Sequence, residues 1–227
     1  MARDTERLIR QIADHAGPVR RLAPPWVRAM AWLAITVPVV VVMAVVMLPQ
    51  GDLVSKLSTP RYLSEEAVAL ATGVLAAMAA FASVVPGYNR KLLVWPLVPL
   101  SFWLGGLGQS GVREWLQLEP DGFSFRLEWF CLPAIAIVGA VPVVAMAIML
   151  RRGAPLTPRV SMALGGLAAA GLGNVGVCLS HRAFSGVLVA VWHVGAMVLL
   201  SVLAACVGRY FLNWSSIVDR TRREAAV

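Results

Sequence analysis

The chain has 227 residues, of which 59% are hydrophobic and only 14% are charged, and its formal net charge is +8. A soluble domain carries about 25% charged residues, so this composition excludes a typical soluble protein and indicates a polytopic membrane protein. Three cysteines are too few for a disulfide scaffold. We therefore predict an all-α chain with six transmembrane helices and a short cytoplasmic amphipathic helix at the N-terminus.

The first predicted element is that short helix. Asp4 or Thr5 is a suitable N-cap, and Gly17 followed by Pro18 breaks the helical pattern. The spacing of its apolar residues places three of them on one face: Leu8, Ile9 and Ile12. A helix of about 12 residues is marginal in water. We therefore expect a protein partner or a lipid surface to order it.

A basic connector bounded by prolines leads from this helix to the first apolar run. It contains Val19, Arg20, Arg21 and Leu22. With the apolar face of the helix, these residues are the candidate partner-binding residues. Residues 1–25 form the predicted cytoplasmic partner-binding tail, for which a lipid surface is the alternative partner.

Apolar runs of about 18 to 25 residues predict six spans within a membrane domain of residues 26–210, followed by a cytoplasmic tail of residues 211–227. The predicted spans are Trp26–Leu48, Glu66–Pro86, Leu92–Gln109, Trp129–Leu150, Arg159–Ser180 and Phe184–Val207. The third and fifth are rich in small residues, which predicts close helix contacts. In the fifth span these are Gly165, Gly166, Gly171, Gly173 and Gly176.

Most of the 20 basic residues fall on the side of the membrane that holds both termini. Cytoplasmic loops carry the excess of Lys and Arg, so both termini are predicted to be cytoplasmic and the protein to lie in a bacterial inner membrane. The positive charge is thereby explained without direct contact to nucleic acid.

Cysteines and histidines are the candidate sensing residues. Cys131 begins the fourth span and Cys178 lies near the end of the fifth, so both belong to the outer side, whereas Cys206 lies at the opposite end. The outer cysteines can pair if their Cα atoms lie within about 7 Å; alternatively each is a small buried apolar residue. His181 and His193 are weak candidates for binding zinc or copper. His193, inside a span, is expected to face the bundle interior.

The sequence contains little that favours an enzyme or a cofactor site. It has no phosphate-binding loop and no HExxH or GxSxG motif, and no carboxylate is predicted inside a span beyond Glu66. The alternatives to a binding regulator are a membrane thiol oxidoreductase that uses Cys131 and Cys178, and a small transporter. No cofactor is predicted.

Several short motifs are typical of one family. They are Leu8-Ile9, Ala13-Asp14, Pro18-Val19-Arg20-Arg21-Leu22, Pro24-Pro25, Arg151-Arg152-Gly153-Ala154-Pro155 and Trp192. Together with a first span that begins with tryptophan, they resemble the NrsF family of bacterial membrane-bound anti-sigma factors. The similarity extends over nearly the whole chain.

The resemblance implies a six-helix inner-membrane protein that is not an enzyme. It would hold an extracytoplasmic-function sigma factor through its N-terminal segment and release it under an envelope stress such as an oxidant or a metal. Members of the family carry two outward-facing cysteines that take part in sensing. Cys131 corresponds to the first, and Cys178 lies slightly before the position of the second.

Overall fold

In the computed structural model, residues 2–14, 22–47, 58–117, 131–153, 157–180 and 193–212 are described. Every regular element in these ranges is helical, which confirms the predicted all-α class. The elements are α1 (Ala2–Asp14), α2 (Pro25–Met47), α3 (Pro60–Ser83), a short 3-10 helix (Arg90–Leu93), α4 (Leu97–Gln117), α5 (Cys131–Leu150), α6 (Pro158–Ser180) and α7 (Gly195–Phe211).

Three of these helices contain segments long and apolar enough to cross a membrane: Pro25–Val46 in α2, Tyr62–Ser83 in α3 and Pro158–Leu179 in α6. Two shorter apolar segments, Ile135–Leu150 and Gly195–Gly208, lie in α5 and α7. Within the described ranges only the three long segments meet the length requirement, so the count of six spans stays a prediction.

Two of the predicted helix starts are wrong, and in both cases the helix begins at or directly after a proline. Helix α3 begins at Pro60, with Thr59 at the N-cap, so the predicted start at Glu66 is wrong and Glu66 lies inside the helix. The predicted span Leu92–Gln109 is also wrong at both ends. A 3-10 helix ends at Leu93 and α4 begins only after Pro96, because proline cannot donate a hydrogen bond to a continuous helix.

The other differences are smaller. Helix α1 already contains Asp4 and Thr5, so neither is its N-cap. Helix α7 continues to Phe211, beyond the predicted end at Val207. In the turn after α3, Gly87 adopts a φ of 78°, which favours glycine.

Helix α6 is the centre of the bundle, where it packs against α2, α3, α5 and α7. Its glycines allow this approach. A Cβ on Gly171 would lie 3.3 Å from the Cα of Gly73 in α3, and a Cβ on Gly173 would lie 3.2 Å from the carbonyl oxygen of Ile135 in α5. The predicted role of the α6 glycines in close packing is therefore confirmed.

The same expectation is not confirmed for α4. Among the described residues, a Cβ added to Gly105, Gly106 or Gly108 would have no heavy atom within 4 Å. Clustered glycines show that a helix can be approached closely, but not whether a neighbour does so.

Interhelical hydrogen bonds link the helices within the apolar core. The indole Nε1 of Trp32 in α2 donates to the carbonyl oxygen of Pro142 in α5 at 2.9 Å. The hydroxyls of Ser83 in α3 and Ser161 in α6 lie 2.7 Å apart. Because these donors and acceptors are shielded from water, each needs such a partner.

Candidate functional site

A cluster of polar side chains lies at one end of the bundle. Asn174 and Cys178 are four residues apart on α6, and His193 lies just before α7. Residues four apart share one face of a helix. His193 Nδ1 is 3.6 Å from Cys178 Sγ and is hydrogen-bonded to Asn174 Oδ1. We call these three residues the cysteine-end cluster.

The cluster is largely shielded from solvent. Asn174 and His193 are only 1% and 4% exposed, and Cys178 is half-buried. An amide oxygen can only accept a hydrogen bond, so Nδ1 of His193 is the donor in this contact. The expectation that His193 faces the bundle interior is confirmed.

Helix α3 adds two further polar groups. Tyr62 and Glu66 are one helical turn apart, and Tyr62 interacts electrostatically with both Glu66 and Cys178. The Tyr62 hydroxyl is buried, and in the described part of the chain it has no hydrogen-bond partner. Sequence reasoning missed Tyr62 and Asn174 near the thiol and Glu66 near Tyr62. The spacing of four residues in Tyr62–Glu66 and Asn174–Cys178 was the available signal.

The register of α5 against α6 brings the start of α5 to the same end of the bundle. Ile135 lies beside Gly173, and Gly139 lies beside Ala169. Continuing this antiparallel register by one turn places Cys131, the first residue of α5, level with Val177. The side chain of Cys131 lies outside the described residues.

A thiol beside an imidazole can act in two ways. The pair offers soft ligands to a thiophilic metal, and a nearby imidazole favours deprotonation of the thiol. Over the described ranges, no group of three His, Cys, Asp or Glu residues is arranged to hold a metal ion.

Comparison with protein-family models decides the family. The model described as "NrsF: Negative regulator of sigma F" matches residues 12–214, which is most of the chain. The chain belongs to the NrsF family. The resemblance inferred from the sequence motifs is thereby confirmed. No curated protein and no solved structure matches the chain.

The NrsF match includes the cysteine-end cluster and most of the predicted tail residues, but it begins after Leu8 and Ile9. Ile9 is 60% exposed on α1, and Leu22 is 41% exposed just before α2. The side chains of Leu8 and Ile12, and all of Val19, Arg20, Arg21 and His181, lie outside the described residues.

Cys206 is a free, exposed thiol on α7. Two residues later, Gly208 packs against Met162 and Pro158 at the start of α6, whereas Cys178 lies near the end of α6. Cys206 therefore lies at the opposite end of this NrsF-family bundle from the cysteine-end cluster, as predicted.

Proposed function

We propose that this protein is an integral-membrane anti-sigma factor that holds an extracytoplasmic-function sigma factor at the bacterial inner membrane and releases it under envelope stress. The observation that carries the proposal is the NrsF match over residues 12–214, whose description names a negative regulator of a sigma factor. The three long apolar helices support a membrane location.

The proposed contact with the sigma factor is the N-terminal tail, residues 1–25. Helix α1 ends at Asp14, and its Ile9 side chain is 60% exposed. An amphipathic helix with exposed apolar residues can bind in a hydrophobic groove of a partner, with Leu8, Ile9 and Ile12 as the anchors.

The basic connector gives the contact its electrostatic part. Residues 1–28 contain six arginines and three acidic residues. A segment with this positive charge cannot imitate DNA, so it would not occupy a DNA-binding surface as a mimic. Arg20 and Arg21 instead would meet acidic residues at the rim of the groove, beside Val19 and Leu22.

Sensing is proposed to take place at the cysteine-end cluster together with Cys131. An oxidant or a thiophilic metal that joins Cys131 and Cys178 would tie the ends of α5 and α6 together. Such a link changes the state of the bundle only through its different affinity for two helix packings. The resulting change in helix packing must be transmitted across about 30 Å of membrane core to reach the tail.

The proposed topology places both termini in the cytoplasm, where the sigma factor is found. The distribution of basic residues supports it, because the excess lies on the side that holds the tail. The cysteine-end cluster would then face the periplasm.

Single charges introduced into α1 test the proposed groove. Ile12→Asp and Leu8→Asp would each put a charge into an apolar contact, and burying an unpaired charge costs several kcal/mol, enough to weaken binding more than tenfold. Gln11→Asp is the matched control, since Gln11 is the exposed neighbour of Ile12 and gains the same charge. The measurement is the amount of sigma factor that co-purifies from membranes.

The proposal expects loss of the sigma factor with Ile12→Asp and Leu8→Asp and retention with Gln11→Asp. Equal co-purification by all three variants would refute the groove. Loss only when Arg20 and Arg21 are replaced would favour a tail that lies on the lipid surface.

A further inference from the structure

A buried arginine lies at the end of the bundle opposite the cysteine-end cluster. Arg28, in the first turn of α2, is only 7% exposed. Its Nη2 donates to the carbonyl oxygen of Met149 at 2.7 Å, and its guanidinium carbon lies 4.6 Å from the centre of the Phe81 ring. These contacts hold the side chain in place, but neither supplies a negative charge.

One of the other guanidinium nitrogens is not satisfied. Nη1 of Arg28 is buried and has no hydrogen-bond partner among the described residues. A buried charge is costly unless it is paired and hydrogen-bonded. Arg152 lies near enough to add electrostatic repulsion, so the local charge is doubly positive. The arrangement needs an anion.

An open cavity of about 640 Å³ adjoins both arginines. Its volume is within the roughly 300–1,000 Å³ typical of ligand pockets. The side chains of Leu22, Val27, Ala31 and Met149 form an apolar wall, and Arg28 and Arg152 form a cationic one. No acidic side chain is found among its described lining residues.

The combination of an apolar wall and a cationic wall indicates which class of anion the cavity would bind. A free inorganic anion would gain nothing from the apolar side, whereas a phospholipid would place its phosphate on the arginines and its glycerol and first acyl carbons against the apolar wall. The cavity also lies where the apolar segment of α2 begins, at Pro25. Trp26, at this level, is 59% exposed, and tryptophans of this kind mark the headgroup region of a membrane.

We propose that the cavity beside Arg28 and Arg152 binds the phosphate of an anionic phospholipid. The lipid phosphate supplies the negative charge that the two guanidinium groups need. The site adjoins Leu22 and Ala23 of the basic connector, so a bound lipid would lie where the tail joins the membrane domain.

Lipid binding by the full-length protein in detergent tests this assignment. The probe is phosphatidylglycerol with a fluorescent acyl chain, competed with unlabelled phosphatidylglycerol, phosphatidylcholine or inorganic phosphate. Phosphatidylglycerol should displace the probe, whereas inorganic phosphate should not. Displacement by inorganic phosphate as effective as that by phosphatidylglycerol would show a site for the free ion and overturn the lipid assignment.

Three variants locate the site. Arg28→Gln should weaken binding about tenfold and Arg152→Gln about fivefold, because each removes a charge-assisted contact to the phosphate. Arg159→Gln is the matched control, since Arg159 is exposed and lies outside the cavity lining. Equal weakening by all three would indicate general attraction to a basic surface and would contradict a defined site.

A fourth variant does not depend on the folding of Arg28→Gln. Ala31 is exposed and lines the cavity, so Ala31→Trp should fill it without changing the charge and should abolish probe binding. Unchanged binding by Ala31→Trp would overturn the proposal. So would an Arg152→Gln variant that keeps the lipid but loses the sigma factor, since the site would then belong to a carboxylate of a protein partner.

Discussion

A close contact between α6 and α7 provides a quantitative test of the packing of the bundle. Gly166 of α6 faces α7, and a Cβ at this position would lie 2.7 Å from the Cβ of Ala204. It would also lie 3.1 Å from the Cα of Ser201 and 3.2 Å from the carbonyl oxygen of Leu200. Two of these three neighbours are backbone atoms, which cannot turn aside as a flexible side chain can.

Gly166→Ala should therefore destabilise the bundle. Forcing a methyl group into a packed contact costs about 1–3 kcal/mol. The change from glycine to alanine inside a helix returns about 0.5–1 kcal/mol. The difference between these ranges is about 0–2.5 kcal/mol, and the contacts with backbone atoms place the expected net loss in the free energy of unfolding in the upper part of it, at about 1–2 kcal/mol.

Gly105→Ala is the control, because a Cβ there has no heavy atom of the described part of the chain within 4 Å. This variant should gain about 0.5–1 kcal/mol from helix propensity alone. The assay is reversible unfolding of both purified variants in mixed detergent micelles. Equal stabilisation by the two substitutions would show that α7 does not approach α6 as closely as described, and the packing argument would fail.

The remaining predictions concern the sensing thiols and the core. Cys131→Ser and Cys178→Ser should each remove induction of the sigma regulon by oxidant or metal while co-purification of the sigma factor persists. Cys206→Ser should respond as the wild type does. A normal response in both Cys131→Ser and Cys178→Ser would show that these cysteines are packing residues. Trp32→Phe should lower the free energy of unfolding by about 1 kcal/mol through loss of the hydrogen bond to Pro142. An unchanged unfolding midpoint would show that this bond contributes nothing.

The length of the apolar run predicts the start of a helix well where a proline in the sequence marks that start. The first predicted span begins one residue after Pro25, where α2 starts, and the fifth begins one residue after Pro158, where α6 starts. Errors arose where polar residues continue a helix beyond the apolar run. Glu65 and Glu66 lie within α3 because the helix is started by Pro60, which an apolar count does not consider.

The cysteine-end cluster was only partly predictable. A histidine inside a span was recognisable as a residue that should face inward, because exposure of a polar group to lipid is costly. The hydrogen-bond partner of His193 was not recognisable, since Asn174 is 19 residues away and on another helix. Only the packing of α6 against α7 brings the two side chains together.

Arg28 shows a second limit of the sequence. As a residue in a basic segment, it was counted only as part of the charge that orients the membrane domain. Its burial depends on a carbonyl group of α5 and an aromatic ring of α3, far away in the chain. A charge count contains no information about such neighbours.

Capture of the sigma factor by the tail is the central claim, and co-purification from membranes tests it most directly. The full-length chain and a chain that lacks residues 1–25 would be expressed to equal levels in the membrane, and the sigma factor retained by each would be measured. We predict that the full-length chain retains the sigma factor and the shortened chain does not. Equal retention by the two chains would contradict the account.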